Sequence, residues 1–270
     1  MPPAAGERLA GRTAVIVGGT GGIGSAAARA FAAHGARLVV AGRDDPAGPA
    51  LAGELSAAGP AARFVPCDAA DEGSVDALFA EADAFLGGRL DILYHVAGFS
   101  GRRLGDGPLH ECSAAGWDGT LAGNLRAVFL TNRAALRRMT GQPPDAGGQR
   151  GAILNMASVL AFRPAPPHFS THAYAAAKAG VIGLSTAAAA HYAPLGIRIN
   201  VIAPGLIETP MSARACGDPA IRGYLTGKQP LAGGPGLPTD CADAAVFLCS
   251  PESRLLTGVV LPVDGGWHVT

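Results

Sequence analysis

Apolar residues fall into two alternating patterns along this chain. Short unbroken runs rich in branched side chains occupy 13–17 (Thr-Ala-Val-Ile-Val), 37–41, 63–67 and 90–96. Runs of that length, bounded by Gly or Pro, read as strands buried on both faces. Longer stretches with helical spacing lie between them. Ser25 to His34 is Ala-rich, contains Phe31 and stops at Gly35. Residues 46–58 form a second such stretch. In the third, Asp71 to Leu86, Val75, Leu78, Phe79, Ala82 and Phe85 recur at the step of an amphipathic helix. Strands alternating with helices predict a parallel sheet with helices on both faces.

The second half is less regular. Trp117 to Met139 reads as one long helix, with Leu121, Leu125, Val128, Phe129 and Leu136 mostly on one face. A Pro/Gly-rich connection follows at 141–151. The helix carrying Tyr174 runs to about Tyr192, where Pro194 and Gly196 end it, and its Ala-rich face suits close helix packing. Residues 206–236 lack periodicity and include Met211, Tyr224 and Leu225; an irregular stretch of that length is usually functional. Asp240 to Cys249 is the last helix and Val259 to Val263 the last strand. With no internal repeat, residues 1–270 read as a single domain.

Composition narrows the field. Lys+Arg and Asp+Glu are 21 each, a net charge of +0, which gives no electrostatic footprint for nucleic acid or an anionic membrane. Five scattered cysteines (Cys67, Cys112, Cys216, Cys241, Cys249) lack zinc-like spacing, so reduced thiols and no metal are expected. Residues 1–10 hold Glu7 and Arg8 without an apolar core, and no uncharged apolar run reaches membrane-spanning length. A soluble cytoplasmic protein is the expectation.

Three stretches carry chemistry. Gly18-Gly-Thr20-Gly21-Gly22-Ile23-Gly24 directly follows the first strand and opens the first helix, the context of a phosphate cradle. At the end of the second strand, where such folds meet the adenosine ribose, Gly42 leaves space and Arg43 offers a guanidinium suited to a 2′-phosphate. That favours NADP(H). In the alternative, Asp44 or Asp45 reads the ribose hydroxyls of NAD(H) and Arg43 stacks on adenine. Asp68 ends the third strand, where ligands gather in open α/β sheets.

Tyr174 and Lys178 are spaced i and i+4, so both leave one face of a helix. A phenol titrates near pH 10, and a nearby ammonium pulls that value toward the working range. Lys178 is the only charged residue from Tyr174 to Ala190, and the chain's other lysine is Lys228. Taken alone, the pair is equally consistent with a lysine reaching for solvent.

Together, in order, these motifs resemble the short-chain dehydrogenase/reductase family from about residue 9 to the C-terminus, with a likeness to its 3-oxoacyl-(acyl carrier protein) reductases. Gly18, Gly22 and Gly24 match the family's three glycines, Asp68 its adenine-binding acid, and Trp117 and Asn124 its Trp and catalytic Asn. Residues 151–158 resemble the strand that ends in the catalytic Ser158, and Tyr174 and Lys178 match the Tyr-x-x-x-Lys pair. Residues 200–209 resemble the nicotinamide-contacting segment, and 257–266 the closing strand.

The resemblance implies a single-domain Rossmann fold, a doubly wound parallel sheet of about seven strands. It implies hydride transfer between nicotinamide and a carbonyl or alcohol carbon of a small molecule. Tyr174 would move the proton, Lys178 bind the ribose and lower the Tyr174 pKa, Ser158 hold the substrate oxygen, and Asn124 hold a relay water. Cofactor contacts are implied at Gly18, Thr20, Gly21, Gly22, Ile23, Gly24, Arg43, Asp68, Ala69, Ala97, Gly98, Pro204, Gly205, Ile207 and Thr209, besides Tyr174 and Lys178. Residues 206–236 would be the substrate lid, and a homo-oligomer, dimer or tetramer, is implied. The expected reaction is NADPH-dependent reduction of a ketone or β-ketoacyl group; the alternative is an NAD-dependent alcohol or polyol dehydrogenase. A non-redox binding or regulatory relative would be expected to lose Tyr174 or Lys178.

Three departures stand out. Val17 replaces a usual Thr, and His95-Val96 replace two usual Asn, so an apolar contact of Val17 with Val96 is expected, with His95 hydrogen-bonded nearby as a core histidine. Ser158 and Tyr174 lie 16 residues apart, a longer stretch than usual, holding three prolines, so this loop should bulge. Ser170 and Thr171 are closer to Tyr174 in sequence, but Ser158 ends a strand, where a rigid site residue belongs. Finally, the loop 99–112 should overhang the cleft. Its Arg102, Arg103, Asp106 and His110 read as solvated, with an anionic substrate as the alternative use of the arginines.

Overall fold

The computed structural model describes residues 7–43, 46–166 and 168–270. Among them the strands are Thr13–Val17 (β1), Arg37–Gly42 (β2), Ala62–Pro66 (β3), Ile92–His95 (β4), Gly151–Met156 (β5), Ile197–Pro204 (β6) and Val260–Val263 (β7). They form one sheet, every pair parallel, in the order β3-β2-β1-β4-β5-β6-β7. The α-helices are Gly22–Ala33 (α1), Ala47–Ala58 (α2), Glu72–Leu86 (α3), Ala114–Leu121 (α4), Ala127–Met139 (α5), His172–Tyr192 (α6), Ala213–Gly217 (α7), Pro219–Lys228 (α8) and Pro238–Cys249 (α9).

The unbroken apolar runs have a direct cause: both faces of each central strand are covered. Ala14, Ile16, Leu38, Val40 and Tyr94 pack against Phe31 of α1, Leu51 of α2 and Val246 of α9. Their neighbours Val15, Val17, Val39 and Leu93 pack on the opposite face against Phe79 of α3 and Leu130 of α5. Each fully buried Val, Leu or Ile contributes about 1.5–3 kcal/mol. Strand order reverses at β1, which has β2 on one side and β4 on the other. In open α/β sheets this switch point is where the carboxyl ends part and leave a crevice.

Two elements differ from the sequence expectation. The helix expected over 117–139 begins at Ala114 and passes through a π turn, Ala122–Arg126, between α4 and α5. The extra residue rotates the face, so Phe129 is 43% exposed while Leu130 and Ala134 are buried. The stretch 206–236 is not irregular throughout. Pro219 takes the first turn of α8, and Asp218 caps it by accepting the backbone N–H of Ala220 and Ile221. Its Gly and Pro content masked two short helices. No helix among the described residues is long and apolar enough to cross a membrane. All five thiols are free, with Cys67, Cys241 and Cys249 buried.

Candidate active site

A cavity of about 1020 Å³ runs along the carboxyl ends of the strands. One end is built from glycine backbone. Gly18 has φ +85°, and a Cβ there would come within 2.5 Å of the Ala97 nitrogen. A Cβ on Gly24 would stand 2.0 Å from the Gly18 carbonyl oxygen, and one on Gly22 2.7 Å from Thr209 Cγ2. Side chains at these positions would fill the cradle. No side chain caps the N-terminus of α1, so its first-turn N–H groups remain for a ligand. A pyrophosphate fits this donor set. Thr20, Gly21, Ile23, Ala69, Pro204, Gly205 and Ile207 line the same cavity.

Arg43 and Asp68 sit at the far end of the cradle, both exposed. Gly42 is tight against Thr20, whose Oγ1 would lie 2.8 Å from an added Cβ. Asp44 and Asp45 lie outside the described residues. Asp68 accepts the N–H of Ala70 at 3.0 Å, which fixes its carboxylate at the strand end.

The other end of the cavity holds Ser158, Tyr174 and Lys178. Ser158 follows β5, and its hydrogen bond reaches Tyr174, so Ser158, and not Ser170 or Thr171, is the hydroxyl that meets the phenol. Lys178 is 2% exposed; its Nζ donates to the Met156 carbonyl at 2.9 Å and lies 5.6 Å from the centre of the Tyr174 ring. Burial pushes Lys178 down to about 8. Burial also pushes the Tyr174 phenol up, and the Ser158 hydrogen bond pulls it back. Lys178, expected to lower the Tyr174 pKa, is not among the causes of this shift. One helical turn sets the ammonium against the ring, bonded to a carbonyl, and Ser158 is the group that favours the phenolate.

Asn124 sits in the π turn, fully buried. It accepts the N–H of Phe99 at 3.2 Å and donates to the carbonyls of Phe99 (3.0 Å) and Thr120 (2.9 Å). A Cβ on Gly98 would lie 2.7 Å from Asn124 Oδ1 and 3.1 Å from Lys178 Nζ, so these two polar groups meet beneath Gly98.

Asp106 is buried, contrary to the expectation of a solvated charge. It is 6% exposed and accepts the N–H of Ala173 at 3.0 Å and of Tyr174 at 2.9 Å. It therefore caps α6 from a distant loop, while the local cap residue Thr171 makes no side-chain bond. Sequence offered no signal for it, because cap signals are sought immediately before a helix.

The Val17–Val96 expectation also fails. The strand register places His95 directly opposite Val17, and the Val96 side chain packs with the opposite face of the sheet. Adjacent residues of a strand point to opposite faces, so only the backbones of Val17 and Val96 meet, with the Val96 N–H donating to the Val17 carbonyl at 2.9 Å. His95 is hydrogen-bonded as expected: its Nδ1 lies 2.7 Å from Thr131 Oγ1. Among the described residues its Nε2 has no hydrogen-bond partner, and burial, reinforced by Lys178, pushes its pKa down to about 3.

The longer loop before α6 folds back on itself, with Ala165 bridging Phe169. Phe169 packs 5.6 Å from the Trp267 ring, and Tyr224 of α8 lies 4.9 Å from His168 and 6.0 Å from Trp267. This aromatic cluster walls the cavity beside Ser158 and joins three segments remote in sequence.

A family profile described as enoyl-(acyl carrier protein) reductase matches residues 18–268. The chain belongs to the short-chain dehydrogenase/reductase family. It is 36% identical over 263 residues to a 2,5-dichloro-2,5-cyclohexadiene-1,4-diol dehydrogenase of Sphingobium indicum, covering 97% of this chain and 98% of that protein. It is 38% identical over 266 residues to the cis-4-hydroxycyclohexanecarboxylate dehydrogenase of Sinomonas cyclohexanicum, with 97% and 98% covered. A solved short-chain type dehydrogenase/reductase from Mycobacterium marinum shares 29% identity and superposes with a TM-score of 0.86, with 97% of each chain covered. As a member of this family the protein is an NAD(P)-dependent oxidoreductase acting on CH–OH or C=O groups.

Proposed function

We propose that this short-chain dehydrogenase/reductase interconverts a secondary alcohol and its ketone using NADP(H). The convergence of Ser158, Tyr174 and Lys178 at one end of a glycine-cradled cavity carries the reading. The glycine turn, with Ala97, Gly98 and Thr209, holds the cofactor, and Asp68 meets its adenine. When bound, the nicotinamide supplies or accepts the hydride. Tyr174 gives a proton to the carbonyl oxygen in reduction and takes it from the hydroxyl in oxidation. Ser158 donates to the same oxygen and steadies the phenolate. Lys178 binds the nicotinamide ribose, and Asn124 holds a water that relays the proton toward Lys178. General acid–base catalysis of this kind is worth about 10²–10⁴-fold.

Both relatives are named for alcohols on six-membered rings, which favours an alcohol–ketone pair over a β-ketoacyl thioester. The NADP(H) preference rests on Arg43 lining the ribose end behind a glycine. The NAD(H) alternative assigns that end to Asp44 or Asp45. The segment 206–236, including α7 and α8, acts as the substrate lid. The outer face of α6 carries Ala176, Ala179, Gly183, Ala187 and Ala190, and Phe129 is exposed, which supports a homo-oligomer built on these helices. Free thiols and a nicotinamide cofactor fit a cytoplasmic setting.

The test is binding of NADPH and NADH side by side, with Arg43→Ala, followed by turnover of cyclic secondary alcohols and ketones. The expected result is tighter NADPH binding, a preference of at least tenfold that Arg43→Ala removes, and measurable turnover. Absence of turnover with both cofactors bound would remove the proposal.

A further inference from the structure

The substrate end of the cavity contains cations that form no ion pair among the described residues. Among the described residues lining the cavity, the charged side chains are Arg43, Asp68, Arg102, Lys178 and Arg214. Arg43 and Asp68 belong to the ribose end, and Lys178 lies buried under Tyr174. That leaves Arg102, from the loop after β4, and Arg214, from α7 in the opposite wall.

Several observations bring these two exposed guanidiniums to one end of the cavity. Arg102 reaches toward the carbonyl of His168, whose ring packs on Tyr224 in the aromatic cluster beside Ser158. Ala215, adjacent to Arg214, is part of that same cluster with Val159 and Trp267. Burial, and then the charge of Arg214, lowers the Arg102 pKa, so the cations feel one another. Neither forms an ion pair among the described residues. The charge of Asp106 acts on Arg102 in the opposite sense, but Asp106 forms no ion pair with it and accepts the N–H groups of Ala173 and Tyr174.

Like charges sharing a cleft are unfavourable unless an anion enters between them. Between these cations and Tyr174 the walls are apolar, formed by Leu160, Phe169, Leu206 and Trp267. A planar guanidinium fork matches a carboxylate bidentately. Resting on the redox reading of the site, we propose that the substrate is a hydroxy acid with an apolar body. Its carboxylate is held between Arg102 and Arg214 while its carbinol meets Ser158 and Tyr174. The two arginines thus act as specificity determinants: they set which alcohol is accepted and take no part in proton transfer.

Calorimetric binding of cyclohexanecarboxylate and of cyclohexanecarboxamide to the cofactor-loaded protein tests this, because neither ligand has a carbinol. The acid should bind at least tenfold more tightly, with that advantage shrinking in high salt. The double variant Arg102→Gln/Arg214→Gln, checked for folding by its melting temperature, should bring the two affinities within about twofold. Equal affinities in the parent protein, undetectable binding of both included, overturn the proposal, as does an advantage that survives in the double variant. Tighter binding of cyclohexyl phosphate than of the carboxylate would reassign the seat to phosphate esters and overturn the carboxylate. In turnover, 4-hydroxycyclohexanecarboxylate should outperform its methyl ester through KM. Arginine-dependent carboxylate binding without oxidation of any alcohol removes the redox reading alone. Alcohol oxidation indifferent to the carboxylate removes this proposal alone.

Discussion

Asp106 Oδ2 accepts the backbone N–H of Tyr174 at 2.9 Å, so the phenol proposed to move the proton is held by a carboxylate 68 positions earlier. Capping bonds of this kind are worth about 0.5–2 kcal/mol. Asp106→Ala should lower the melting temperature by a few degrees, since about 1 kcal/mol shifts a domain of this size by roughly 2–4 °C. It should also lower kcat about 10–100-fold, because small misplacements of a reacting group are expensive. Asp106→Asn keeps an acceptor and should recover most of both losses. Near-native kcat in the Ala variant would show that the cap does not position Tyr174.

Tyr174→Phe should lose about 10²–10⁴-fold in turnover while still binding cofactor. Ser158→Ala should slow the reaction and move the basic limb of the pH–rate profile upward, because Ser158 is the group that lowers the Tyr174 pKa against burial. An unmoved limb would place the control of that pKa elsewhere.

Lys178 should weaken the fold it serves. Burial lowers its pKa from 10.5 to about 8. Below pH 8 the folded protein carries a buried ammonium, and the cost is present in full. Between pH 8 and 10.5 the unfolded chain holds a proton that the folded chain releases, so stability rises with pH. Lys178→Met should therefore melt higher than the parent at pH 7, lose activity, and show a shrinking advantage as the pH approaches 10. Denaturant unfolding across that range reads the difference.

His95 should make the protein acid-sensitive. It is neutral in the fold, with its pKa pushed from 6.5 down to about 3. As pH falls below 6.5 the unfolded chain takes up a proton that the folded chain refuses, so stability drops. Between pH 6.5 and 5 this one group accounts for about 2 kcal/mol. His95→Asn should remove that part of the slope. Parallel unfolding curves of parent and variant over pH 5–7 would show that His95 does not contribute.

The layers, the glycine turn after β1 and the shared face of Tyr174 and Lys178 follow from local signals. Runs such as Thr13–Val17 are apolar on consecutive positions because helices cover both faces, and that pattern is readable without coordinates. The π turn at Ala122–Arg126 was not readable, since one inserted residue changes hydrogen bonding without changing composition. The helices α7 and α8 were hidden because Gly217, Pro219, Gly223 and Gly227 mimic loop chemistry, although Pro219 takes a permitted first turn and Gly223 lies inside α8.

By itself, then, the sequence determined the parallel sheet with helices on both faces, the glycine turn after β1 and the shared helical face of Tyr174 and Lys178, because each depends on residues close in the chain. Tertiary structure alone decided what surrounds them. It gave Asp106 to the helix of Tyr174, His95 to Val17 and Ser158 to Tyr174. Those relationships join residues far apart in sequence, and electrostatics and capping act through space, where chain separation leaves no periodic trace.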